Sequence, residues 1–168
     1  LKLIILTRGY SDHADNCAYI REKYGAKTAM HTNDSGMVEH GDMTWNRKAK
    51  PDKVSIMFRI MQIFGRLSKQ GNFNTFKPDI YIEDGQDLSE YGLNAKVLHL
   101  PGHSKGSIGI LTTKGDLFCG DLLYNIAGFN FIDDLADFHA SINKLKSLKI
   151  NTVYPGHGKP FPMSSLSK

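Results

Sequence analysis

An α/β fold is predicted for this chain from three observations. Short apolar runs alternate with polar turns, beginning with "LKLIIL" (Leu1–Leu6) and continuing at Ile80–Ile82, Lys96–Leu100 and Ser107–Leu111. A helical stretch from about Ala14 to Tyr24 lies between the first run and "KTAMH", and Gly25 stands where a helix end favours a left-handed residue. Strand, helix and strand in that order predict a parallel pair. Near the other end, Leu135, Phe138, Ile142 and Leu145 recur at spacings of three and four, the pattern of a helix with one buried face.

In order along the chain, the first helix places Cys17, Ile20 and Tyr24 on one face. From Asn33 to about Asp52 the composition is polar, and Gly36, Gly41 and Pro51 mark loops. Val54 to Leu67 is strongly apolar and reads as a helix whose Met and Phe side chains are core or pocket wall. "TTKGD" is a turn leading into a strand at Leu117–Cys119. Asp133 or Asp134 caps the helix that runs to about Leu148, and Asn151–Tyr154 is a last short strand. The whole of 1–168 is predicted to be one domain, with residues about 36–78 a loop-plus-helix insertion near the site.

Composition narrows the function classes. The chain is 40% apolar and 23% charged, with a net charge of +4. The basic residues form no block of like charge, so nucleic acid is not a predicted partner. No apolar run is long enough to span a bilayer, and no signal-peptide pattern opens the sequence. Cys17 and Cys119 are the only cysteines and form no disulfide framework, so a cytoplasmic location is expected.

Chemistry concentrates at strand ends. "SDH" (Ser11–His13), "PGHSKGS" (Pro101–Ser107), "CGD" (Cys119–Asp121) and "PGHG" (Pro155–Gly158) each follow a predicted strand, where α/β folds gather their ligands. Taken singly, each is an ordinary turn or cap. Together they bring Asp12, His13, His103, Asp121 and His157 to one place. Two carboxylates and three imidazoles suit a first-row divalent metal, with Zn²⁺ the first candidate and Fe or Mn the alternatives. His31, His40, His99 and His139 match no motif and are read as structural or surface residues.

The ordered set "SDH", "LPGHSKGSIGIL", "LFCGDLLY" and "VYPGHG" resembles the metallo-β-lactamase fold superfamily of hydrolases, near its hydroxyacylglutathione hydrolase branch. The resemblance implies an αββα sandwich and hydrolysis of an ester, thioester, lactone or amide carbonyl by metal-activated water. The family's first motif is Thr-His-x-His-x-Asp-His. Aligned on Asp12 and His13, this chain keeps Thr7 but carries Arg8 and Tyr10 where the two leading histidines belong. The resemblance implies that the second of two metals would be held by Asp12, His13, Asp121 and His157. Of the four ligands of the first, only His103 and Asp121 are present.

Arg8 presents donors only and cannot ligate a cation. Tyr10 would have to ionise from a reference pKa near ~10. One metal per chain, or none, is therefore expected. The Arg8 guanidinium is expected to take roughly the space of the missing cation and to pair with Asp121 or a substrate anion. Asp12 is a candidate catalytic residue as ligand and orienter of the nucleophile, and Tyr124 as an oxyanion donor. The family places several strands before its first motif, which here starts at residue 7. The sequence therefore reads as N-terminally truncated, an incomplete αββα sandwich lacking most of the N-terminal half-sheet: either it is a fragment of a longer protein or another chain covers the open sheet, and a homo-oligomer is expected. The expected function is a weakened, one-metal hydrolase of a small-molecule substrate. The alternative is an inactive relative that acts as a binding or interaction protein.

Overall fold

The computed structural model describes residues 1–54, 74–124 and 131–167. Two sheets lie face to face. The first holds β1 (Leu3–Ile5), β2 (Lys27–Met30) and β4 (Ile80–Tyr81) in the order β1-β2-β4, all parallel. The second holds β5 (Ala95–His99), β6 (Ile108–Thr112), β7 (Asp116–Gly120), β9 (Thr152–Pro155) and β10 (Phe161–Pro162) in the order β10-β9-β7-β6-β5. A two-stranded ribbon pairs β3 (Lys53–Val54) with β8 (Phe131–Ile132). The helices are α1 (Ser11–Ala14), α2 (Cys17–Tyr24), α3 (Thr32–His40) and α4 (Leu135–Lys146).

Burial explains the layers. Ala29 and Ile82 meet Val97, Ile108 and Ile110 between the sheets, with Leu3, Ile5 and Ile80 at the margin. On the far face of the second sheet, Leu98, Leu111, Leu117 and Val153 pack against Phe138, Ile142 and Leu145 of α4. Outside the first sheet, Met30 and Ile4 meet Ala14, Cys17 and Val38 from α1 to α3. The order helix, sheet, sheet, helix is the αββα layering that the resemblance implies, and the strand-helix-strand unit is parallel as predicted. Because both of its faces are covered, β5 buries Val97 on one side and Leu98 on the other, without simple alternation. Gly25 closes α2 with φ of 62°, and the Asp134 side chain caps α4 by accepting from Asp137 N.

Several expectations are corrected. The stretch from Asn33 is not loop: α3 runs to His40, because His31 Nδ1 accepts from Asn33 N at its start and Met37 and Val38 bury one face. Gly36 belongs to that helix, and a Cβ there would lie 2.2 Å from the Trp45 indole, so the glycine admits the ring. The "SDH" turn is itself the single helical turn α1. Tyr24 does not share the buried face of Cys17; it is exposed, with Lys23 Nζ 5.6 Å from its ring centroid. Val54 lies in β3, not at the start of a helix. The rest of the helix expected at Val54 to Leu67 lies outside the described residues. Among the described residues no helix is long and apolar enough to cross a membrane.

Candidate metal centre

Strand direction places the site. β5 is antiparallel to β6, β6 is antiparallel to β7, and β7 is parallel to β9. Thus β5, β7 and β9 run the same way and deliver His103, Asp121 and His157 from loops at one end of the sheet. The segment after β1 joins them, since Ile108 N donates to the Thr7 carbonyl at 3.0 Å and Gly156 N donates to the Gly120 carbonyl at 2.6 Å. Gly120 has φ of 53°, and a Cβ on it would come within 2.7 Å of Thr7 Oγ1, so this crossing requires glycine.

Four of the predicted residues form one cluster. One ligand atom from each of Asp12, His13, Asp121 and His157 lies within 4.8 Å of all the others. His13 Nε2 stands 3.6 Å from Asp121 Oδ1, and His157 Nε2 stands 3.0 Å from Asp12 Oδ2 and 3.6 Å from Asp121 Oδ2. Thr7 Oγ1 holds His13 Nδ1 at 3.1 Å, which turns Nε2 toward the carboxylates. Among the described residues the buried Asp121 Oδ1 has no close hydrogen-bond partner, its neighbour being His13 Nε2 at 3.6 Å. A buried carboxylate whose free oxygen faces one imidazole nitrogen while its other oxygen lies 3.6 Å from a second is the kind of donor set that a cation needs. These residues fit a single divalent ion.

The fifth predicted ligand is engaged elsewhere. His103 is buried, and its Nδ1 donates to the Phe131 carbonyl at 2.9 Å. That bond sets the tautomer and leaves Nε2 as an acceptor, which meets Arg8 Nη1. Arg8 Nη1 also lies 2.5 Å from Asp121 Oδ2, and Arg8 Nη2 lies 2.5 Å from Asp12 Oδ2. The expected pairing of Arg8 with Asp121 is therefore present. Tyr10 does not point its hydroxyl at the carboxylates. The hydroxyl reaches the His103 carbonyl at 3.5 Å while the ring lies 4.6 Å from the Arg8 guanidinium carbon. Tyr124 Oη lies 3.1 Å from His103 Nδ1 and also interacts with the Asp121 carboxylate, at the edge of the four-residue cluster.

Electrostatics follow from burial and from Arg8. Burial pushes the Asp121 carboxyl up, but His13 and the Arg8 charge outweigh it and bring it down to about 2. Burial, reinforced by Arg8, takes His103 down to about 3, so its imidazole is neutral. Burial raises both the Tyr10 and Tyr124 phenols above their ordinary range, so each is a hydrogen-bond donor and neither an anionic ligand.

Two supporting residues were not anticipated. Asp34, fully buried, accepts from Ser104 Oγ at 2.6 Å, Gly106 N at 2.7 Å and Gly9 N at 3.2 Å. It ties the Arg8 loop to the His103 loop. Arg47 lies with its guanidinium carbon 4.4 Å from the Phe131 ring centroid and 5.3 Å from that of Tyr10. Both come from the stretch read as loop, where polar composition hides buried roles. Of the histidines set aside, His31 and His99 stack with centroids 4.1 Å apart, a structural pairing.

The fold and this cluster define a metal-binding α/β protein. The chain belongs to the metallo-beta-lactamase superfamily, whose family model matches residues 1–157. It is 37% identical over 79 residues to a hydroxyacylglutathione hydrolase of Aeromonas hydrophila, a match covering 46% of this chain and 31% of that protein. It is 26% identical to hydroxyacylglutathione hydrolase GloC of Haemophilus influenzae over 94% of this chain and 69% of that one. Among solved structures, TTHA1623 in a di-iron-bound form matches with a TM-score of 0.70 and 26% identity, over 99% of this chain and 74% of that one. The chain thus spans less than a third of the Aeromonas protein's length.

Proposed function

We propose that this chain hydrolyses an ester, thioester or lactone carbonyl with one divalent ion held by Asp12, His13, Asp121 and His157. The observation that carries the reading is the convergence of these four side chains, with one ligand atom of each within 4.8 Å of all the others, around the buried carboxylate of Asp121. The two relatives named as hydroxyacylglutathione hydrolases favour an acyl thioester as substrate class. When bound, a divalent ion polarises a carbonyl and acidifies water toward a pKa near ~7.

The chain's own residues divide the remaining work. Asp12 and His157, 43% and 39% exposed, form the solvent side of the site where a substrate would enter. Asp121 and Arg8 form its floor, each 3% exposed. Thr7 fixes the His13 ring, and Asp34 fixes the two loops that carry Arg8 and His103. Zn²⁺ suits the mixed nitrogen and oxygen donor set, as do Fe and Mn.

The second reading, a binding protein without turnover, is favoured by one observation: Arg8 already pairs with both carboxylates of the cluster. A panel of thioesters, esters and lactones, assayed with added Zn²⁺, Mn²⁺ or Fe²⁺, separates the two. Turnover that is lost with a chelator and in Asp121→Ala is expected. No turnover from folded protein with any of these ions rejects the hydrolase in favour of the binder.

A further inference from the structure

The residues beside Asp121 do not fit a second ion. At the four positions that hold the first metal of the motif stand Arg8, Tyr10, His103 and Asp121, and the Arg8 guanidinium satisfies the two that are capable of ligation. Nη1 meets both His103 Nε2 and Asp121 Oδ2. The Tyr10 ring lies 4.6 Å from the guanidinium carbon, a cation–π separation, with its hydroxyl turned away to the His103 carbonyl. The Phe131 carbonyl holds His103 in the tautomer that can accept from an arginine. Loss of two histidines without compensation would strand a buried imidazole and a buried carboxylate. Here each has a cationic donor.

We infer that Arg8 and Tyr10 act as one device: a guanidinium seated on an aromatic face that replaces the first ion, limits the centre to a single divalent ion and competes with that ion for Asp12 and Asp121. The inference rests on the one-ion reading of the site for its stoichiometry, but not for the competition. Arg8 Nη2 at 2.5 Å from Asp12 Oδ2 and Nη1 at 2.5 Å from Asp121 Oδ2 engage both of the carboxylates an incoming ion must share, although Asp121 Oδ1 is left facing the cluster. A fixed positive charge at that range also repels a cation.

The test is zinc titration of the chelator-treated full chain, with thermal unfolding measured alongside, on the wild type, Arg8→Met and the double variant Arg8→His/Tyr10→His. One equivalent is expected for the wild type and two for the double variant. Arg8→Met is expected to bind its single ion about tenfold or more tightly, yet to melt at lower temperature without metal. Those opposite signs distinguish a competing cation from a merely structural arginine, which would weaken both. Two equivalents on the wild type, or an Arg8→Met that binds no more tightly than wild type, overturn the inference. If the double variant does not fold, Arg8→Met alone decides. No uptake by the wild type, with one equivalent on Arg8→Met, rejects the one-ion hydrolase and upholds the competition. No uptake by any folded protein overturns both.

Discussion

Arg8 Nη1 lies 2.5 Å from Asp121 Oδ2, and both side chains are 3% exposed. A charge pair sequestered to this degree contributes little net stability, but it is expensive to break from one side, because the survivor is left charged and without solvent. Asp121→Asn is therefore expected to destabilise the metal-free protein by roughly 3–5 kcal/mol. Asp121→Asn combined with Arg8→Met is expected to be more stable than Asp121→Asn alone. Urea unfolding of the chelated single and double variants provides the cycle. Additive losses would show that the two charges do not depend on each other.

Asp34 makes a second testable point, since one carboxylate joins two motif loops that are remote in sequence. Oδ2 accepts from Ser104 Oγ and Gly9 N, and Oδ1 accepts from Gly106 N. Asn has one acceptor oxygen, so either orientation of its amide sets an N–H₂ against a donor. Asp34→Asn is expected to cost about 2–4 kcal/mol in unfolding free energy. It is also expected to weaken metal binding at a site it does not touch, because the Arg8 and His103 loops lose their shared anchor. Unchanged metal affinity in a folded Asp34→Asn would confine its role to stability.

Four of the five strands of the second sheet, all but β10, and the motif loops were legible in the sequence because apolar strands bounded by Pro-Gly and Lys-Gly turns are local signals. Asp12, His13, Asp121 and His157 were legible for the same reason, each following a strand that could be read. What escaped depends on contacts between distant segments. Thr32–His40 has the composition of a turn, and it is helical because His31 caps it while Met37 and Val38 find a core to enter. The β3–β8 ribbon is two residues long on each side and has no periodicity to detect. Asp34 became significant only when Gly9 and Gly106 were brought to it. That Arg8 pairs with Asp121 could be argued from its charge, whereas the Tyr10 ring beneath the guanidinium could not.

Acid sensitivity should trace in part to His31. Burial and the neighbouring His99 take its pKa from 6.5 down to about 4. Between those values the unfolded chain binds a proton that the folded chain refuses, so stability rises with pH across about 4 to 6.5 and is flat in this term outside that window. The slope from one such group approaches ~1.4 kcal/mol per pH unit. His103, taken down to about 3, acts in the same direction and over a wider span. His31→Asn keeps a side-chain acceptor for Asn33 N at the start of α3 while removing the titration. Urea midpoints from pH 4 to 7 are expected to vary less steeply in His31→Asn than in the wild type. Parallel profiles would remove His31 from the account.

Gly156 offers the most direct examination of where the ion sits. A Cβ added there would lie 2.2 Å from Asp121 Oδ1 and 2.8 Å from His13 Cε1, in the space between the carboxylate oxygen and the imidazole that faces it. Gly156 is not among the glycines with positive φ, so alanine meets no backbone penalty, and its N–H can still donate to the Gly120 carbonyl. The methyl group therefore acts on the cradle more than on the fold. Gly156→Ala is expected to retain its secondary structure by circular dichroism and to lose metal affinity by roughly ten- to a hundredfold, the scale seen when the surroundings of a ligand are disturbed. Calorimetric titration with Zn²⁺ measures the change. Wild-type affinity in the alanine variant would mean that the ion is not held between Asp121 and His13, and the four-residue centre would have to be redrawn around Asp12 and His157 alone.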